Sequence, residues 1–110
     1  MDECIVVFIT APSIESAEAI GKSLVEKGLA ACVNMIPAVT SVYVWEGELC
    51  REQEILMMAK SVISLFPSLE AHVKELHDYD EPEIIAVPIT EGSESYLKWV
   101  RESCRKPFQV

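Results

Sequence analysis

The run His77-Asp78-Tyr79-Asp80-Glu81-Pro82-Glu83 holds the densest chemistry in this chain. Imidazole and carboxylate are ligands for divalent cations. A connection between a helix end and a strand start is where binding groups are often carried. Plainer readings compete. A histidine at a helix C-terminus can satisfy the last carbonyls and complement the dipole. The spacing of Asp78, Asp80 and Glu81 matches no dedicated cation loop and reads equally as a solvated connection. Tyr43 and Trp45 form a second group, two apart on a strand and therefore on one face. Lys60 lies on the returning strand, and a lysine beside aromatics suits an anionic small molecule; hairpin packing with a surface lysine is the competing role. Cys4 and Cys32 sit inside apolar runs and read as small buried hydrophobes. No Gly-x-Ser-x-Gly elbow, phosphate-cradling glycine loop or nucleophile–base pair stands out, so an enzyme is the weakest reading.

The elements that position these groups follow from periodicity. Residues 4–10 form a continuous apolar run of strand length, as in a strand covered on both faces. Ser13 suits a helix N-cap. Ala17, Ile20, Gly21 and Leu24 then recur at helical spacing, and Gly28 suits the C′ position. A strand-like arm spans residues 29–45, with a bend expected at Pro37, which cannot donate a ladder hydrogen bond. Glu46-Gly47-Glu48 makes a turn in which Gly47 is free to take positive φ. A second strand returns over residues 49–61, giving one extended hairpin. Its tip is crowded by Glu46, Glu48, Glu52 and Glu54, which read as a solvated edge that resists aggregation. Residues 64–76 form a second helix with Pro67 in its first turn. Residues 84–90 form the next strand, with Pro88 suggesting an edge or a bulge, and a last helix carries Tyr96, Trp99, Val100 and Ser103 on one face. Residues 101–110 read as a fraying tail. The order βαββαβ plus a terminal helix is the split βαβ, or ferredoxin-like, arrangement: an α+β fold with an antiparallel sheet and two helices on one face. At 110 residues the expectation is a single domain covering 1–110.

The chain carries 18 acidic and 9 basic residues, a net charge of −9. That disfavours nucleic acid and anionic membrane surfaces as partners, because phosphate affinity needs a basic footprint. No apolar run is long enough for a transmembrane helix. The acidic start, Met1-Asp2-Glu3, lacks the basic region of a signal peptide, and no Cys-x-x-Cys pair is present. The expectation is a cytoplasmic chain with reduced thiols.

Four motifs in order carry a resemblance. Ala30-Ala31-Cys32-Val33-Asn34, Ile36-Pro37-x-Val39-Thr40-Ser41-x-Tyr43-x-Trp45-Glu46-Gly47, His77-x-Tyr79-x-x-Pro82-Glu83-Ile84 and Tyr96-Leu97-x-Trp99-Val100 closely resemble the CutA family of divalent-cation tolerance proteins. The match runs over most of the chain. The resemblance implies a ferredoxin-like homotrimer, similar to the PII signalling proteins, in which the long hairpin completes the sheets of neighbouring subunits. It implies a role in tolerance of copper and other divalent metals, with no settled catalytic activity. It places His77 and Glu83 near an inter-subunit cleft, and Tyr43, Trp45, Lys60 and Tyr79 are candidates to line that cleft. The candidate metal ligands are His77, Glu83 and Cys32, for Cu or Zn. Some family members carry a copper-linked cysteine where this chain has Ile9, and a histidine where it has Leu76. In the family, a proline commonly follows the histidine; here it is Asp78. The soft ligand is therefore missing, and weak or indirect metal binding is expected. The alternative is a PII-like trimeric sensor that binds a small ligand and signals through a protein partner.

Overall fold

A computed structural model describes residues 2–105. The elements are β1 (Cys4–Ala11), α1 (Ile14–Glu26), β2 (Cys32–Trp45), β3 (Glu48–Val62), a 3₁₀ turn (Ile63–Leu65), α2 (Phe66–Leu76), β4 (Ile84–Pro88) and α3 (Glu94–Ser103). One antiparallel sheet has the order β2-β3-β1-β4, so β2 and β4 are its edges. This is the expected α+β order of four strands, with α3 added at the end. Boundaries differ locally. The 3₁₀ turn precedes α2, which begins at Phe66 rather than at residue 64, and β4 stops at Pro88 rather than at residue 90. Arg101 is not part of a fraying tail: it lies in α3, and its Nε donates to the Asp2 carbonyl at 2.8 Å. Residues 106–110 of the expected tail lie outside the described residues.

The strand parities set the layers. Ile5, Val7, Ile9, Met57 and Ala59 face one side and are buried under Ala17, Ile20 and Leu24 of α1 and Leu69 and Val73 of α2. Both helices therefore cover one face. The Ser13 side chain caps α1 by accepting from Ser16 N at 3.1 Å, and Gly28 follows the helix at φ 71°. The opposite face carries the other parity: Val6, Phe8, Thr10, Leu56, Met58 and Lys60, all half-buried. Among the described residues, cover is limited to one end of it, where Val100 and Cys104 pack on Cys4 and Val62.

Pro37 does bend the arm. The β2–β3 register shifts between Ile36 and Val39, and Ala38 sits at φ 62°. An extra residue in one strand exchanges its faces. Before the bulge, Cys32 and Asn34 stand opposite Lys60 and Met58; after it, Ser41 and Tyr43 stand opposite Glu52 and Cys50. Odd-numbered residues of β2 thus join the open face where even-numbered ones did before.

β1 ends at Ala11, opposite Ile55. Beyond that point β2 and β3 continue as a two-stranded ribbon, from Val39↔Glu54 to Trp45↔Glu48. The ribbon is closed by Glu46 at φ 51° and Gly47 at φ 81°, the two positive φ values that a two-residue primed turn requires. A Cβ on Gly47 would meet nothing within 4 Å. Gly47→Ala therefore tests backbone strain alone: it should lower stability by about 1 kcal/mol in urea unfolding, and an unchanged midpoint would mean that the turn adopts another conformation.

Candidate functional site

His77 ends α2, and its backbone N–H returns to Val73 O at 2.8 Å. Its ring does not turn back onto the helix carbonyls. Nε2 lies 2.7 Å from Thr10 O, just past the last β1–β4 pair, and Nδ1 accepts from Tyr79 N at 3.0 Å. A carbonyl can only accept and an amide can only donate, so the ring is the neutral tautomer with hydrogen on Nε2. His77 is 9% exposed, and both nitrogens are occupied. It is a latch between the α2–β4 connection and the end of β1.

The latch aims Tyr79. Its ring packs against His77 with centroids 4.8 Å apart, and its hydroxyl donates to Glu54 Oε2 at 2.9 Å. Glu54, the first residue of β3 beyond the core sheet, is 6% exposed. Further along the ribbon the Tyr43 hydroxyl donates to Glu52. A cleft of about 560 Å³ opens beside these pairs. Tyr43, Trp45 and Tyr79 supply its aromatic lining, and Glu54, Asp80, Glu81 and Glu83 its carboxylates. Thr10, Ser41 and Val42 complete it. Burial and the bond to Glu54 push the Tyr79 phenol well above its ordinary range. The Glu52 carboxylate pushes Tyr43 up to about 12.

Of the nominated residues, Tyr43, Trp45, Tyr79 and Glu83 line one cleft. Three others do not join them. Lys60 stands opposite Cys32, six residues up β3 from Glu54 or about 20 Å along a strand, and it donates to Asn34 Oδ1. Among the described residues no lysine or arginine lines the cleft. Cys32 is half-buried rather than buried, with its Sγ 3.6 Å from the Tyr96 hydroxyl. Its position opposite Lys60 lies four strand rows from Thr10, the residue His77 holds. Among the described residues no group of three His, Cys, Asp or Glu converges to hold a metal. The nitrogen and sulfur donors that Cu or Zn prefers are therefore not assembled, and the oxygens of Glu54, Asp80, Glu81 and Glu83 are the groups left for a cation.

Glu54 was not legible as a site residue. It was expected at a solvated edge, yet it shares parity with Leu56 and Met58, and that alternation was the signal to use. A Ser–His contact was also missed. Ser23 Oγ lies 2.7 Å from His72 Nε2, and His72 Nδ1 lies 3.9 Å from Glu75. Ser23 sits in the last turn of α1, where the free backbone groups are carbonyls that repel an oxyanion. The contact joins α1 to α2 and offers no stabilisation for acyl transfer.

Residues 5–103 match the sequence profile of the CutA1 divalent ion tolerance protein family. The chain belongs to that family. It is 52% identical over 98 residues to the divalent-cation tolerance protein CutA of Thermus thermophilus, covering 89% of this chain and 95% of that one. It is 46% identical over 101 residues to the chloroplastic CutA of Arabidopsis thaliana, covering 92% of this chain and 56% of the plant protein. The chain thus spans little more than half the length of that relative. The crystal structure of CutA1 from Oryza sativa superposes with a TM-score of 0.92 at 42% identity, over 96% of each chain. The Thermus relative is named for divalent-cation tolerance and not for a catalysed reaction. No helix among the described residues is long and apolar enough to cross a membrane. The chloroplastic name of the plant relative leaves the compartment open within the family.

Two outcomes follow. Removing the His77 ring strands a part-buried carbonyl and an amide, so His77→Ala should cost about 2 kcal/mol in chemical unfolding; a silent substitution would show that the latch is not formed. Tyr43 donates to Glu52 only as the neutral phenol. Its folded pKa is raised, so the stability it contributes is present below pH 10 and is lost as pH rises through about 12. Alkaline absorbance titration should show a tyrosine ionising near 12 that moves back toward 10 in Glu52→Gln; titration unchanged by that substitution would contradict the pairing.

Proposed function

We propose that this chain acts in divalent-cation tolerance as a homotrimer, in a PII-like arrangement, with weak or indirect metal binding through carboxylates of the cleft. The observation that carries the reading is the ribbon. An isolated two-stranded hairpin is at best marginal in water. This one extends beyond the sheet with apolar residues bare on both faces: Leu49 is 77% and Val44 66% exposed on one, and Trp45 is 50% exposed on the other. The half-covered sheet face and the β4 edge, with Ile85 and Val87 exposed, offer matching surface on the same chain. Surface of this kind is what a self-association interface buries. A head-to-tail contact repeated three times closes a ring and leaves no ribbon unpaired.

For the metal, the geometry favours a response of the assembly to cations over a tight copper or zinc centre. A net charge of −9 per chain concentrates cations around the protein. The free thiols of Cys4, Cys32, Cys50 and Cys104 suit a reducing compartment such as the cytoplasm. The cleft supports the second reading, a small-ligand sensor acting through a protein partner, because a pocket with aromatic walls suits a small molecule better than a bare ion.

Light scattering should give a mass of about three times the 12.3 kDa chain, and Leu49→Asp with Val44→Asp should reduce it to one chain. A monomer in the unsubstituted protein overturns the assembly. Titration calorimetry of metal-free protein with Cu²⁺ and Zn²⁺ should show weak binding, reduced by Glu83→Ala. Tight binding near one ion per subunit that His77→Ala abolishes would restore the imidazole as a ligand.

A further inference from the structure

Glu54 poses an electrostatic problem that the fold leaves open. The residue is more than nine-tenths buried, yet it forms no ion pair with any described Lys, Arg or His. Only Oε2 has a partner, the Tyr79 hydroxyl. Oε1 accepts no hydrogen bond among the described residues, and no enclosed side-chain oxygen there lacks a partner, so Oε1 opens into the cleft that Glu54 lines. One oxygen is held by a neutral hydroxyl and the other faces the cleft with no counter-charge from the described residues beside it, so a cation there gains a charge-assisted hydrogen bond.

The surroundings select the kind of cation. An inorganic divalent ion needs several convergent oxygens, and no group of three acidic, His or Cys side chains converges among the described residues. The walls beside Glu54 are instead aromatic, with Trp45 half-exposed and Tyr43 and Tyr79 held by their carboxylates. Aromatic faces attract organic ammonium groups and pack against methylenes. Asp80 and Glu81 add negative charge at the rim.

We infer that the cleft binds a linear aliphatic amine with two or more ammonium groups. One ammonium sits on Glu54 Oε1, the chain lies along Trp45, and a further ammonium meets the acidic rim. All of these residues belong to one chain, and the inference requires that the assembly proposed above leave the Trp45 side of the ribbon open.

The test uses the full chain with Trp99→Phe, which leaves Trp45 as the only tryptophan. Spermidine at physiological salt should change Trp45 fluorescence saturably, and butylamine should bind about tenfold more weakly. Glu54→Gln keeps the shape and an acceptor for Tyr79, and should weaken spermidine by about tenfold or more. The surface pair Asp80→Asn and Glu81→Gln should weaken it as well, with no demand on folding. An absent or unsaturable response overturns the inference. So does an equal response to Mg²⁺ at matched ionic strength, or indifference to both sets of substitutions. Mass measured on the same samples separates the two readings: no spermidine response from an assembled protein means that a neighbouring copy neutralises Glu54, and the amine reading falls while the assembly stands.

Discussion

The bulge at Pro37–Ala38 is the constraint on which the rest of this structure depends. A strand without it would keep Ile36 and residues of the same parity on the open face, placing Val42 and Val44 there and turning Tyr43 and Trp45 to the helix side. The register shift exchanges them. It therefore decides that the aromatic residues meet Glu54 and Tyr79, and that Val44 and Leu49 form a separate apolar face at the ribbon tip. Proline is suited to the task because β2 is an edge strand, where a missing N–H need not break a ladder bond. Ala38 takes the left-handed conformation at φ 62° without the freedom of glycine, so local backbone strain accompanies the shift.

From the bulge the cleft is assembled by two latches of different polarity. His77, neutral and engaged at both nitrogens, fixes the α2–β4 connection to the end of β1. Tyr79 then carries a hydroxyl across to a buried carboxylate on β3. The arrangement turns the imidazole from an expected ligand into a support for an acidic, aromatic recess. That chemistry fits the family's association with cations while moving the emphasis from nitrogen and sulfur donors to carboxylate oxygens.

Much of the fold was legible because it depends on local rules. Helical spacing located α1, Ser13 and Gly28 marked its ends, Gly47 marked the turn, and Pro37 marked the bend. The site was legible only in part. Tyr43, Trp45, Tyr79 and Glu83 do meet, but Lys60 and Cys32 stand at the far end of the same sheet face, a separation that strand length and register decide and residue type does not. Glu54 was hidden among the tip glutamates because its burial depends on Tyr79, 25 residues away in sequence. The half-exposure of Cys32 has the same origin: its apolar neighbours suggested the core, whereas the parity of β2 before the bulge places it on the open face beside Tyr96.

The ribbon is the feature that a single chain leaves unfinished, and its edge amides report most directly on what completes it. Between Val39 and Trp45, alternate N–H groups of β2 point away from β3. If other copies of the chain cover the ribbon, amide hydrogen exchange at these positions will be slow at high protein concentration and will speed up on dilution below the assembly range. Fast exchange at every concentration, alongside a protected core of Val7, Ile9, Met57 and Ala59, would mean that the ribbon stands free in water, and would contradict the assembly.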